Sequence, residues 1–190
     1  PYDVALSVSQ LRTALSWIDE VADESGLIAI HVEFHQVQQF INILKAMDWV
    51  PLHYPIIAHY GSSARGGFVV CATFPEKNHE TFYVFRRNKS ACKGFVGGKS
   101  TIAVGKQTIT AEAYRLSGKE WFRKNQLQLN VVRGVLDLLL RFLKMECDPV
   151  AGPFPIICDP FVGSGTTLVA AFELGCDFVG CDKDPNAVQV

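Results

Sequence analysis

An α/β fold is the architecture this sequence predicts, on three observations. Residues 155–182 read as strand, glycine turn, helix and second strand, the unit from which parallel sheets are assembled. Upstream of it, apolar stripes at helical spacing alternate with short runs rich in β-branched and aromatic side chains. The composition is that of a folded unit: 48% of the 190 residues are hydrophobic and 19% are charged, ample for a substantial core.

In chain order, Ser7 or Ser9 is placed to cap a helix on which Leu11, Ala14, Leu15, Ile18 and Val21 recur at three- and four-residue steps, with Gly26 as its stop. Residues 27–34 read as a strand, and Val37, Phe40, Ile41, Leu44 and Met47 then repeat the helical stripe. Three further strands are expected over 50–60, 67–74 and 80–86. A long helix follows over 130–147, carried by Val131, Val135, Leu138, Leu139 and Phe142.

The run from Pro155 to Phe172 carries the chemistry. An apolar entry, Pro155-Ile156-Ile157, leads into Cys158-Asp159-Pro160-Phe161-Val162-Gly163-Ser164-Gly165-Thr166-Thr167 and leaves through an apolar helix. Glycines at 163 and 165 let backbone approach a ligand where a Cβ would clash, and the helix after them aims its free N–H groups and positive dipole end at the same place. A second strand over 177–181 ends at Asp182, about twenty residues after the turn, the separation at which such a unit offers a carboxylate to ribose hydroxyls. A bare Gly-x-Gly is weak evidence, because glycine pairs close many turns that bind nothing. A P-loop is set aside, because no lysine follows Gly165.

The flanking residues carry more. Asp159-Pro160-Phe161 before Gly163-Ser164-Gly165-Thr166-Thr167, then helix, strand and Gly180-Cys181-Asp182-Lys183-Asp184-Pro185, resembles the S-adenosylmethionine-binding motif of the amino-methylating DNA methyltransferases. The resemblance implies a Rossmann-like methyltransferase sheet with S-adenosylmethionine as cofactor. It puts Asp159 near the methionine ammonium, Phe161 and the turn Gly163, Ser164, Gly165, Thr166 and Thr167 along the cofactor, and Asp182 on the ribose. Relatives carry Lys-Pro on the helix before the motif; the counterpart here is Arg133-Gly134, with Arg133 expected to hold the cofactor carboxylate.

The motif starts at residue 158 of 190 instead of opening the domain, which is the permuted order often called the beta class. In that order a catalytic Asp/Ser-Pro-Pro-Tyr comes first, and Pro1-Tyr2 looks like its tail. Pro1 and Tyr2 are therefore the expected catalytic residues, Tyr2 stacking on a base flipped out of the duplex. The expected division is a catalytic half over 1–85, a basic target-recognition insert over 86–125 and a cofactor half over 126–190. The central strand that the tetrapeptide ends would precede Pro1, so an upstream segment or a second chain is expected to complete the sheet, and a further strand to follow Val190. Without such a segment the chain reads as an inactive relative that binds nucleic acid or a partner enzyme.

Charge distribution points to the polymer. Ten basic residues between Arg86 and Lys124 face only Glu112 and Glu120, a local balance of +8 in a chain of net charge −1, which leaves −9 elsewhere. Arg86, Arg87, Lys89, Lys93, Lys99, Lys106, Arg115 and Lys119 are the expected phosphate contacts, to DNA in preference to RNA. Adenine N6 is the first expected target and cytosine N4 the second.

Other features set bounds. No apolar run approaches the roughly 18–20 residues that span a bilayer, and the N-terminus lacks a basic region followed by an apolar core, so an intracellular protein is expected, in prokaryotic cytoplasm or a eukaryotic nucleus. Six irregularly spaced cysteines favour reduced core residues over a disulfide framework. His31, Glu33 and His35 alternate on one strand face, yet no further ligand accompanies them and no metal site is expected. Trp17, Trp49 and Trp121 read as packing residues.

Overall fold

A computed structural model describes residues 8–32, 34–52, 55–60, 79–89, 101–104, 111–146, 155–184 and 187. Its first region is a five-stranded sheet: β1 (Leu27–His31), β2 (Trp49–Pro51), β3 (Ile56–Tyr60), β4 (His79–Arg87) and β5 (Thr101–Val104). The long β4 is its axis. β1 pairs antiparallel along one edge, from Leu27 opposite Arg86 to His31 opposite Phe82. β2 and then β3 take the other edge in succession, antiparallel, and β5 runs parallel to β3.

Strand alternation sends neighbouring β4 residues to opposite faces, each with its own cover. Phe85 packs with Trp49 and Ile28 under α1 (Val8–Val21) and α2 (Phe34–Ala46), which contribute Leu11, Leu15, Ile43 and Leu44. Val84 and Ile56 on the other face meet Val135 and Leu139 of α4 (Lys119–Glu146). The expected strand over 50–60 is two strands, β2 ending at Pro51 and β3 starting at Ile56, just after Pro55, which has no N–H for the ladder. The expected strand over 27–34 ends at His31, with Phe34 opening α2. The expected strand over 67–74, together with Pro1 and Tyr2, lies outside the described residues.

The second region is a βαβ unit: β6 (Ile157–Asp159), α5 (Thr166–Glu173) and β7 (Phe178–Gly180), with β6 and β7 parallel. It packs on α4 through Leu129, Val169 and Ala170, joined by Trp121, Phe122, Val132 and Leu136. Helix α4 therefore has two apolar stripes, one for the five-stranded sheet and one for α5. At 28 residues it is about 42 Å long and serves both regions.

That helix corrects the expected boundaries. It starts at Lys119 instead of residue 130, and α3 (Ala111–Ser117) precedes it, so the C-terminal part of the basic stretch is helical and packed. Gly118, at φ 79°, makes the sharp break between the two helices, and Phe122 lies edge-on to Tyr114 across it with ring centroids 5.6 Å apart. No helix among the described residues is long and apolar enough to cross a membrane.

Candidate cofactor site

The parallel ladder continues past the ends of β6 and β7 into the glycine turn. The Cys181 N–H donates to the Asp159 carbonyl and the Val162 N–H to the Cys181 carbonyl, each at 3.1 Å. Close approach of β7 to the turn requires Gly180: a Cβ there would stand 2.5 Å from Val162 Cγ2. The turn then reverses tightly, the Gly165 N–H donating to the Val162 carbonyl at 2.9 Å. Gly163 (φ 52°) and Gly165 (φ 82°) occupy the left-handed region, which side chains disfavour, and α5 begins directly after.

Two carboxylates organise this turn. Asp182 Oδ2 accepts the Gly163 N–H at 2.8 Å, while Oδ1 accepts the Asp184 N–H at 2.9 Å. These bonds, the Asp184 one first, hold the Asp182 carboxyl below the usual aspartate range, so it is a fixed anion at neutral pH. Asp159 Oδ1 accepts the Phe161 N–H at 2.8 Å, which sets the direction in which the chain enters the turn. The Phe161 ring itself is 48% exposed. Asp159, Phe161, Gly163, Ser164, Gly165, Thr166, Thr167 and Asp182 are thus brought together at one end of the βαβ unit. The set is suited to a cationic, hydroxyl-bearing ligand with an aromatic part: two carboxylates, an open ring and a backbone turn in which Gly163 and Gly165 carry no Cβ.

Arg133 belongs elsewhere. Its guanidinium pairs with Glu173 at 2.7 Å, and the Glu173 side chain is only 3% exposed. Glu173 is the last residue of α5, eight residues beyond Gly165, which places the pair about 12 Å from the turn along the helix. Packing decides this, because α4 and α5 lie side by side with Trp121 at the turn and Arg133 at the far end.

Trp121 is the residue the sequence reading gave only to packing. Its indole N–H donates to the Ser164 carbonyl at 2.5 Å, from a position one helix upstream of the motif. The side-chain amide of Asn125 donates to the Trp121 carbonyl at 2.9 Å, one helical turn on.

The expected phosphate contacts divide. Arg115 and Lys119 are exposed on α3 and α4, with Arg123 and Lys124 beside them, and Lys89 is exposed after β4. Arg87 is occupied inside the protein: it pairs with Asp19, donates to the Asp19 carbonyl at 2.6 Å, and lies over the Trp49 ring at 4.4 Å. Arg86 is half-buried and donates to the carbonyls of Arg87 and Asn88 at 3.0 and 3.3 Å. Both stand in the paired β4 strand, which the count of basic residues along the sequence did not reveal. Lys93, Lys99 and Lys106 lie outside the described residues.

Of the alternating His31, Glu33 and His35, only the His31 side chain falls among the described residues. His31 meets Glu80 at 2.6 Å across the sheet, Glu33 and the His35 side chain lie outside the described set, and no metal-holding cluster occurs among the described residues.

The N6/N4 methyltransferase family model, described as DNA methylase, matches residues 136–190. The Type II methyltransferase M1.MboII of Moraxella bovis is 28% identical over 102 residues, 48% of this chain and 38% of that protein. The Type II methyltransferase M.HindIII of Haemophilus influenzae is 41% identical over 51 residues, 27% of this chain and 16% of that protein. The chain thus spans well under half the length of either relative. Its fold is shared over nearly its whole length with the M1.HpyAVI–SAM complex, at a TM-score of 0.61 and 16% identity, covering 95% of this chain and 81% of that one. Residues 136–190 thus match the DNA methylase family model, and the chain shares its α/β fold with the M1.HpyAVI structure.

Proposed function

We propose that the protein transfers a methyl group from S-adenosylmethionine to the exocyclic amine of a base in DNA, adenine N6 ahead of cytosine N4. The observation that carries the reading is the turn at 159–167 with Asp182 bonded to the Gly163 N–H. The cofactor supplies a methyl group already activated on a sulfonium, so what the protein adds is chiefly binding and orientation. Asp182 keeps lone pairs for ribose hydroxyls beside its two backbone bonds, Asp159 offers carboxylate charge to the ammonium, and the open Phe161 ring offers an apolar contact. The M1.HpyAVI protein crystallised with SAM supports the choice of cofactor.

DNA as the substrate is supported by the family and by the exposed cations Arg115, Lys119, Arg123 and Lys124 on the two helices against the cofactor unit. Pro1 and Tyr2 remain the proposed contacts to the flipped base. Among the described residues β6 pairs with β7 alone, and a further strand is proposed to pair along its other edge. The test is nucleoside mass spectrometry on unmethylated DNA after incubation with the full-length protein and S-adenosylmethionine. N6-methyladenine is the expected product; N4-methylcytosine would reassign the base, and no methylated base at all would refute the activity.

A further inference from the structure

The peptide plane between Ser164 and Gly165 is held at both ends. Its N–H donates within the turn to the Val162 carbonyl at 2.9 Å, and its carbonyl accepts the indole N–H of Trp121 at 2.5 Å. Because a peptide unit is rigid and planar, two such anchors fix its orientation as a whole. The need is specific to this turn: a left-handed glycine at 163 and another at 165 leave the backbone free to choose alternatives that other residues would forbid. The Asp182 and Val162 bonds come from the βαβ unit itself, whereas Trp121 reaches in from α4.

The indole is itself well placed to act as an anchor. It packs against the Leu129, Val169 and Ala170 cluster, so its ring direction is set by apolar contact, and an indole N–H is a donor only, with no alternative role. Lys119, Arg123 and Lys124 stand exposed on the same two turns of helix.

We infer that Trp121 is a positioning residue for the cofactor turn, fixing the Ser164–Gly165 peptide from α4 so that the start of α5 is presented to the ligand in one orientation. The inference rests on the reading of 159–167 as the S-adenosylmethionine site and adds a residue that the motif does not contain. A phenylalanine at 121 keeps most of the packing and removes the donor. The loss of one hydrogen bond to the turn corresponds to a roughly three- to tenfold weaker affinity.

Calorimetric titration of S-adenosylmethionine into the full-length wild type and Trp121→Phe, paired with tryptophan emission, separates the possibilities. The wild type is expected to bind with an emission change that saturates with the calorimetric affinity, since Trp17 and Trp49 lie on α1 and β2 of the other region. Trp121→Phe is expected to bind three- to tenfold more weakly, with the emission change gone. Binding by the wild type with an unaltered affinity in Trp121→Phe would overturn this inference alone; no binding by the wild type would overturn the site reading and this with it. If Trp121→Phe does not fold, the wild-type emission decides: a change on binding supports the contact, and a flat trace despite calorimetric binding refutes it.

Discussion

Trp49, Ile56 and Phe85 in the five-stranded sheet are wholly buried, whereas Ile156, Phe161 and Val179 around the two-stranded sheet are 60%, 48% and 49% exposed. The first region has helices against both faces and a core of its own. The second is a short parallel pair with α5 packed on it, and it draws its core from the Trp121 and Leu129 stripe of α4. Where the first region fills its sheet faces with side chains, the second keeps apolar surface and backbone open around the turn. One helix, α4, makes both arrangements possible, and local stability should fall from the first region to the second.

The contrast is sharpest at Trp49. Its ring is sealed in the core, its indole N–H donates to Asp19 at 2.7 Å, and Arg87 covers it. Trp49→Ala should cost about 3–5 kcal/mol in urea unfolding, while Val179→Ala should change stability by no more than about 0.5 kcal/mol. Equal losses at the two sites would erase the distinction between the regions.

Next in size is the far end of α5. Removing Arg133 takes an ion-pair partner from the buried Glu173 carboxylate, so Arg133→Ala should destabilise the protein by about 3 kcal/mol. Its affinity for S-adenosylmethionine should stay within about twofold of the wild type under conditions where both are folded, because the pair lies about 12 Å along the helix from the turn. A large loss of affinity with normal stability would return Arg133 to the cofactor.

Smaller still is the effect at Asp182. Asp182→Asn weakens two backbone bonds that favour the charged form, and cofactor affinity should drop about tenfold at pH 7. The sign with pH is fixed by the lowered folded-state pKa. The contribution to stability is whole above the unfolded aspartate value of about 3.9 and fades as pH falls through the folded value beneath it. Wild type and variant should therefore differ in stability by a constant amount from neutral pH down to about 4 and converge only in stronger acid, measured by urea unfolding at each pH. Convergence already at pH 6 would mean that another group carries the effect.

Much of this was legible in the sequence where one residue type has one physical meaning. Gly163, Gly165 and Asp182 announced a turn and its acid, and the stripes on α1 and α2 announced most of their buried faces, although Val21 is exposed and Ile43, outside the stripe, is buried. The first turns of α4 were hidden, because Lys119, Glu120, Arg123 and Lys124 fill its exposed side and made a helix read as a charged loop. The loss of Arg87 to Asp19 was equally hidden, since a cation's partner 68 residues away leaves no local trace. Sequence spacing likewise placed Arg133 before the motif without saying which end of α5 it would meet.

Lys119 gives the smallest effect and bears on why the basic helices face outward. It is the first residue of α4, where a cation opposes the positive end of the helix dipole. Helix stability alone would therefore favour its removal, and Lys119→Ala should leave the protein as stable or a few tenths of a kcal/mol more so. If the lysine instead meets a phosphate, the same variant should lower the salt dependence of DNA binding by about 0.9 in the slope of log K against log salt, with S-adenosylmethionine affinity untouched. A gain in stability together with a shallower slope would mean that this position is set by the nucleic acid against the preference of the helix. An unchanged slope would leave Lys119 as surface and move the phosphate contact to Arg115 or Arg123, which are also exposed on these helices.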